Sequence, residues 1–132
     1  MSREFVETIL ASIERWNAGQ PMDFETIDPD VEIVSQLSSV SGEPYRGHDG
    51  VRQWHSDIYE QFTEWRIDID EIRVLDEDRY LAPGRLHLRG RGSGVEFDQP
   101  LVWLFEQRDG KLLRMSVYLN AADALEAAGL RE

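Results

Sequence analysis

The hydrophobic residues of this chain change their spacing near Trp65, and this change limits the fold more than any other feature. Before that point, two segments carry apolar residues every three or four positions, which is typical of the buried face of a helix. These positions are Phe5, Ile9, Ile13 and Trp16, then Val51, Trp54, Ile58 and Phe62. From Trp65 the period becomes two, which is typical of a half-buried strand. Helices followed by consecutive strands predict an α+β fold with a mostly antiparallel, strongly curved sheet.

Turn and cap residues predict where the individual elements begin and end. The sequence Asp109-Gly110 lies between two apolar runs and indicates a hairpin, and Pro83-Gly84 predicts an interruption or bend in its strand. Asn120 is the expected N-cap of a last short helix. The expected elements are a short helical turn at Met22–Ile27, a turn at 28–30, strands at Val31–Leu37, Arg79–Gly92, Val95–Arg108 and Lys111–Tyr118, a loop at Ser38–Tyr45, a long helix after Gly47 and a final helix at Ala121–Ala128.

Composition excludes several classes of protein. The 132 residues suit one domain, which we expect to span residues 1–132. Lys and Arg number 14 against 26 Asp and Glu, and the formal charge of −12 argues against nucleic acid and anionic membranes as partners. No apolar run approaches the roughly 18 residues of a membrane span, and the N-terminus lacks the apolar core of a signal peptide. Cysteine is absent and His residues number three, so we expect a cytoplasmic protein without a metal.

One predicted strand is apolar on both faces. Its residues 101–105 are Leu, Val, Trp, Leu and Phe, so both sides of the strand need cover. The two long helices can cover one side. The simplest cover for the other side is a second copy of the sheet, and we therefore expect a homodimer.

Arg85 and His87 are the first candidates for chemistry, because residues two apart project from one face of a strand. Arg85 could hold an anion or a carbonyl oxygen, and His87 could act as a general acid or base. We expect both side chains to reach the cavity of the fold or its rim. The structural alternative is a row of cross-strand ion pairs with Glu96 and Asp98.

Asp98 and Tyr118 are further candidates on the predicted sheet. A buried carboxyl group such as that of Asp98 can be tuned for acid-base work, although most carboxylates in so acidic a chain are solvated. The hydroxyl of Tyr118 could donate to a ligand carbonyl, and a tyrosine that caps the core is an equally good interpretation.

Several short motifs, taken together in this order, resemble a known family over nearly the whole chain. They are Tyr45-Arg46-Gly47-His48-Asp49-Gly50-Val51-Arg52, Gly90-Arg91-Gly92-Ser93-Gly94-Val95, Arg108-Asp109-Gly110-Lys111, and Tyr118 followed by Ala124-Leu125-Glu126-Ala127-Ala128-Gly129-Leu130. The chain resembles the SnoaL-like family of the nuclear transport factor 2-like superfamily, which includes ketosteroid isomerases and limonene epoxide hydrolases. The resemblance implies a cone-shaped sheet wrapped around helices, a deep pocket, and a homodimer through the outer face of the sheet.

The resemblance also implies which residues meet a ligand. Trp54 and Tyr45 would line the pocket, and Trp16 is a further candidate for substrate binding, although most of the aromatic residues of the two helices are expected in the core. Asn120 stands where SnoaL-like cyclases often carry an acid-base Asp, and the apolar Ile33 stands near the place of the catalytic Asp of ketosteroid isomerases. An amide cannot transfer the proton that a carboxyl transfers.

Two functions are therefore open at this stage. The first is a cofactor-free isomerase, cyclase or hydratase that acts on an apolar carbonyl-containing substrate. Its catalytic residues would be His87, Arg85 and Tyr118, and its substrate-binding residues would be Trp54, Tyr45, Asp98, Trp16 and Asn120. The second is a non-catalytic ligand-binding or dimeric accessory module on the same fold. A protein-partner adaptor, as in the transport-factor branch, is a third and weaker candidate.

Overall fold

The computed structural model describes residues 2–35 and 43–129, and in these ranges three helices pack against one curled sheet. The helices are α1 (Ser2–Asn17), α2 (Gly47–Gln61) and α3 (Ala121–Ala127), with a short 3-10 turn at Phe24–Thr26. The strands are β1 (Ile27–Val34), β2 (Tyr45–Arg46), β3 (Phe62–Ile69), β4 (Arg73–Val74), β5 (Arg79–Gly90), β6 (Glu96–Arg108) and β7 (Lys111–Tyr118). No helix in this part of the chain is long and apolar enough to cross a membrane.

The strand order of the sheet is β2-β1-β7-β6-β5-β3, and β4 also pairs with β5. Every pairing is antiparallel except that of β1 with β7, which is parallel. The predicted α+β class, with a cone-shaped sheet and a short C-terminal helix, is confirmed.

The two faces of the sheet have different partners. Side chains such as Leu86, Trp103 and Phe105 point to the concave face and join the core that α1 and α2 cover. Side chains of the opposite parity, among them Val102 and Leu104, pack on the convex face against α3. The convex side of the apolar run 101–105 is therefore covered by α3 of the same chain. The sequence alone suggested that a second copy of the sheet would cover this side.

The C-terminal end of α1 closes the free edge of the sheet at β3. The indole N–H of Trp16 donates to the carbonyl of Trp65 at 2.7 Å. The side-chain amide of Asn17 donates to the carbonyl of Ile67 at 2.7 Å and accepts from its N–H at 3.0 Å. These three bonds satisfy backbone groups that an edge strand otherwise leaves unpaired.

Gly84 allows two strands to approach closely. Strand β5 runs through Pro83-Gly84 without interruption, and a Cβ atom at Gly84 would overlap the backbone oxygen of Asp68 in β3. The proline lacks an N–H, but its carbonyl accepts from the N–H of Asp70 at 2.9 Å. The dipeptide therefore marks a close contact between strands and not a break.

Other boundaries differ from the sequence expectations in informative ways. The turn expected at 28–30 lies inside β1, where the pairing with β7 shifts register between Ile27 and Glu32. The expected strand end at Leu37 and most of the loop at Ser38–Tyr45 lie outside the described residues. The Asn120 cap is confirmed, because its side chain accepts from the N–H of Asp123 at 2.8 Å.

Candidate functional site

A cavity of about 100 Å³ lies inside the cone, between α1, α2, the 3-10 turn and the concave face of the sheet. We call it the cone cavity. Its interior walls are almost entirely apolar, and they carry no titratable side chain among the described residues. The principal wall residues are Phe5, Ile9, Trp16, Ile33, Val51, Trp54, Ile67, Trp103, Phe105 and Met115.

Three polar side chains that line the cavity stand at its mouth, as their exposure to solvent shows, whereas the lining residues Thr8 and Thr26 are half-buried. Ser12 and Arg15 come from α1, and Asp23 precedes the 3-10 turn. The guanidinium of Arg15 is held by the carbonyl of Pro21 at 3.0 Å, and the carboxylate of Asp23 accepts from the N–H of Glu25 at 3.1 Å. The mouth therefore presents one cation and one anion in fixed positions beside an apolar interior.

Two tryptophans form an inner wall of the cavity. The rings of Trp16 and Trp54 are stacked with their centroids 5.0 Å apart and an angle of 29° between their planes. The N–H of Trp16 is bonded to Trp65, whereas the buried N–H of Trp54 has no hydrogen-bond partner in the described part of the chain. Trp16 and Trp54, which the sequence analysis names as candidate substrate-binding residues, both lie in this wall, and their role in binding stays a prediction.

Trp54 also stands between the cone cavity and a second, much smaller void. This void of about 10 Å³ is bordered by Ser35, Leu86 and Val117 toward the far end of the sheet. The residues common to both walls are Trp54, Ile67, Trp103 and Met115.

Arg85 and His87 do not line the cone cavity. They share a face, as expected, but their neighbours Leu86 and Leu88 occupy the concave side, so both charged side chains project from the convex side. The expectation that they reach the cavity is wrong, because the strand parity that fills the core with leucine excludes them from it.

His87 and Asp98 instead form part of an ionic row across the convex face. The Nδ1 atom of His87 contacts the carboxylate of Asp98, and its Nε2 atom lies 3.4 Å from the carboxylate of Asp68. Arg89 pairs with Glu96 at 2.8 Å in the same row. The cross-strand ion pairs that the sequence offered as the structural alternative are the arrangement found.

Tyr118, Asn120 and Tyr45 also lie away from the cavity walls. Tyr118 packs beside α3 on the convex face. Asn120 caps α3, so its amide is engaged with the backbone of that helix. The hydroxyl of Tyr45 donates to the carboxylate of Asp57 at 2.6 Å, which ties β2 to α2.

A polar groove lies on the outer side of Trp16, opposite to the cavity. His55 and Tyr59 form its aromatic side, with their ring centroids 4.8 Å apart. Burial lowers the pKa of His55 and raises the pKa of Tyr59, so both rings are neutral near pH 7. No cluster of three His, Asp or Glu suited to a metal ion occurs within the described ranges.

The geometry and the comparisons agree on the class of protein, because both show a cone-shaped sheet around helices, as in the nuclear transport factor 2-like fold. A sequence model of the SnoaL-like domain matches residues 9–115, and the chain belongs to this family. No curated protein matches the sequence significantly.

Solved structures of similar fold have low sequence identity to this chain. A nuclear transport factor 2-like protein of Burkholderia pseudomallei superposes with a TM-score of 0.78 at 17% identity, over 93% of this chain and 95% of that one. TerC, co-crystallised with polyporic acid, gives 0.77 at 22% identity over 93% and 96% of the two chains. A putative SnoaL-like polyketide cyclase of Jannaschia sp. CCS1 gives 0.73 at 21% identity over 89% and 85%. At these identities the likeness establishes the fold.

Proposed function

We propose that this protein binds a small, largely apolar organic molecule in the cone cavity. The observation that carries the proposal is the apolar space of about 100 Å³ at the centre of the fold, which opens to solvent at its mouth. Protein interiors are close-packed, and a void of this size inside so small a domain forfeits packing contacts that a bound ligand restores. The co-crystal of TerC with polyporic acid supports an organic ligand for proteins of this fold.

The size of the cavity limits the part of the ligand that it can enclose. An engineered apolar cavity of about 150 Å³ stays dry and binds benzene, so a space of about 100 Å³ encloses a group no larger than a small ring or a branched aliphatic chain. A larger molecule would extend through the mouth. There Arg15 would meet an anionic or carbonyl group, and Asp23 would meet a donor.

Ligand binding without catalysis is the form of this proposal that the geometry favours. An isomerase, cyclase or hydratase needs a positioned acid or base within hydrogen-bond reach of the reacting atoms. His87, Arg85 and Tyr118 project from the opposite face of the sheet. Asp23 is the single carboxylate among the described lining residues, and it stands at the mouth. A cofactor-free reaction would therefore have to occur at the mouth, with Asp23 as its base.

Two matched substitutions on α1 test the binding proposal. Ile9 lines the cavity, whereas the next residue of the same helix, Leu10, is exposed and does not line it. Ile9→Phe should fill the cavity and abolish binding of cyclohexane-sized probes in an NMR titration, while Leu10→Phe should bind as the native chain does. Equal binding by both variants, each with a native-like spectrum, would contradict the proposal. Asp23→Asn should leave binding intact, and any turnover that it abolishes would support catalysis at the mouth.

We further propose that the protein is a homodimer that pairs through the convex face. The support is the resemblance together with the charged row on β3, β5 and β6, in which cations and anions alternate and can complement a second copy. Arg85 lies exposed in this row, opposite Asp68 and Pro100 in the sheet register. Val102 is buried under α3, so it is a poor site at which to test association.

A charge reversal tests the dimer without disturbing the core. Arg85→Glu should convert the dimer to a monomer in light scattering at micromolar concentration. The control, Arg3→Glu, alters an exposed position on α1 and should leave the mass unchanged. A native chain that is monomeric under these conditions would refute the proposal. The proposed location is the cytoplasm, which a fluorescent fusion would check.

A further inference from the structure

We propose that the mouth of the cone cavity selects a free apolar α-amino acid of about the size of leucine. Arg15 holds the carboxylate of this ligand and Asp23 holds its ammonium group, while the apolar side chain enters the cavity. The inference rests on the proposed function, because it names the ligand class of the same cavity.

The first observation is that the mouth carries two opposite charges that do not pair with each other. Arg15 and Asp23 both line the cavity and are both exposed, so a ligand in the mouth can reach them. Neither side chain makes an ion pair with any residue in the described ranges, whereas Arg79, Arg89 and Arg108 each hold a carboxylate. A ligand that carries both charges can satisfy both residues at once.

The second observation is that both charged groups are held in place before a ligand arrives. The guanidinium of Arg15 donates through Nε and Nη2 to the carbonyl of Pro21, at 3.2 and 3.0 Å. These bonds leave Nη1 without a partner in the described part of the chain, and they fix the segment that leads to Asp23. One carboxylate oxygen of Asp23 accepts from the N–H of Glu25 at 3.1 Å, so the other oxygen can meet a ligand. Groups held in this way lose little freedom on binding.

The charge of the chain and the size of the cavity narrow the ligand further. The formal charge of −12 disfavours a purely anionic ligand, and Arg15 disfavours a purely cationic one. A zwitterion has no net charge, so neither effect opposes its approach. Beyond the mouth the walls are almost entirely apolar, and a space of about 100 Å³ suits the branched side chain of leucine.

Three ligands that share one hydrocarbon chain test this assignment on the native chain. Leucine carries both charges, 4-methylpentanoate lacks the ammonium group, and 3-methylbutylamine lacks the carboxylate. Their dissociation constants would be measured by NMR titration at neutral pH. Leucine should bind about five- to tenfold more tightly than either analogue, as expected for one charge-assisted hydrogen bond that is partly screened by solvent. Equal affinities for leucine and either analogue would overturn the proposal.

Two substitutions assign each charge of the ligand to its residue. Arg15→Gln should weaken leucine and 4-methylpentanoate about five- to tenfold and should not weaken 3-methylbutylamine. Asp23→Asn should weaken leucine and the amine to a similar extent and should not weaken 4-methylpentanoate. Glu25→Gln and Arg3→Gln are the matched controls, because each removes one exposed charge that does not line the cavity, and both should leave the affinities nearly unchanged. Losses in the controls equal to those in the mouth variants would refute the assignment.

A further variant shows whether the side chain of leucine occupies the cavity. Ile9→Phe, which should fill this space, should abolish leucine binding while Leu10→Phe retains it. Leucine that still binds Ile9→Phe with native affinity would lie outside the cavity, and the inference would be wrong.

A neutral probe separates this inference from the proposed function. Cyclohexane carries no charge, so it should bind the native chain and both mouth variants alike. Binding of cyclohexane without any binding of leucine would overturn the role of the mouth and leave the proposed function standing. If neither cyclohexane nor leucine binds the native chain, the proposed function itself fails.

Discussion

Asn17 joins the end of α1 to the edge strand β3, and we predict that Asn17→Ala lowers the free energy of unfolding by about 1–2 kcal/mol. The side chain makes two hydrogen bonds to the backbone of Ile67, at 2.7 and 3.0 Å, and both are partly buried. Each such bond contributes about 1 kcal/mol net, and water that reaches the opened edge would recover part of the loss. For a domain of this size the melting temperature should fall by roughly 3–10 °C.

The assay is urea and thermal unfolding followed by circular dichroism, with amide exchange at Ile67 as a local probe. Gln20→Ala is the control, because it removes an exposed carboxamide three residues away. Exchange of the Ile67 amide should accelerate in Asn17→Ala and not in Gln20→Ala. A loss below about 0.5 kcal/mol, the usual range for a surface substitution, with unchanged exchange would refute the argument.

Four other outcomes are expected. Gly84→Ala should destabilise the fold by at least about 2 kcal/mol, because its Cβ would overlap the oxygen of Asp68. Hydrogen bonds from Arg108 lower the pKa of Asp28, so the ionised Asp28 stabilises the fold above about pH 4, and this stabilisation is lost as the pH falls through the lowered pKa. In acid denaturation, Asp28→Asn should therefore be less stable than the native chain above about pH 4, and the difference should vanish at lower pH. Asn120→Ala should cost about 1 kcal/mol in urea unfolding through loss of the α3 cap. Dialysis against a chelator should leave probe binding unchanged in the NMR titration.

The fold could be predicted in outline because its elements depend on local patterns. The change of period near Trp65, the Asp109-Gly110 hairpin and the Asn120 cap each express local backbone chemistry. Pro29 and its acidic neighbours have turn chemistry, so the sequence predicts a turn at 28–30, where the structure has part of β1. In the fold Asp28 is instead buried and paired with Arg108, 80 positions further along the chain.

The site was harder to predict because a cavity wall and a core have the same sequence signature. Ile9, Phe105 and Met115 are apolar residues at ordinary core spacing, and no local pattern shows that the space between them is left empty. For Arg85 and His87, parity established that they share a face, but which face is concave depends on how the whole sheet curls. Residues of opposite parity, Leu86 and Leu88, were the usable signal, because leucine at alternate positions favours the core side.

The parallel pairing of β1 with β7 has a consequence for how the chain acquires its structure. Ile33 lies beside Met115, 82 residues further along, and among the described strands β1 has only the two-residue β2 on its other side. A nascent chain therefore cannot complete its sheet until β7 has left the ribosome, and the core that α1 and α2 cover stays incomplete until then. Because such distant contacts slow folding, we expect refolding in milliseconds to seconds, and a chain truncated before Lys111 should remain unfolded.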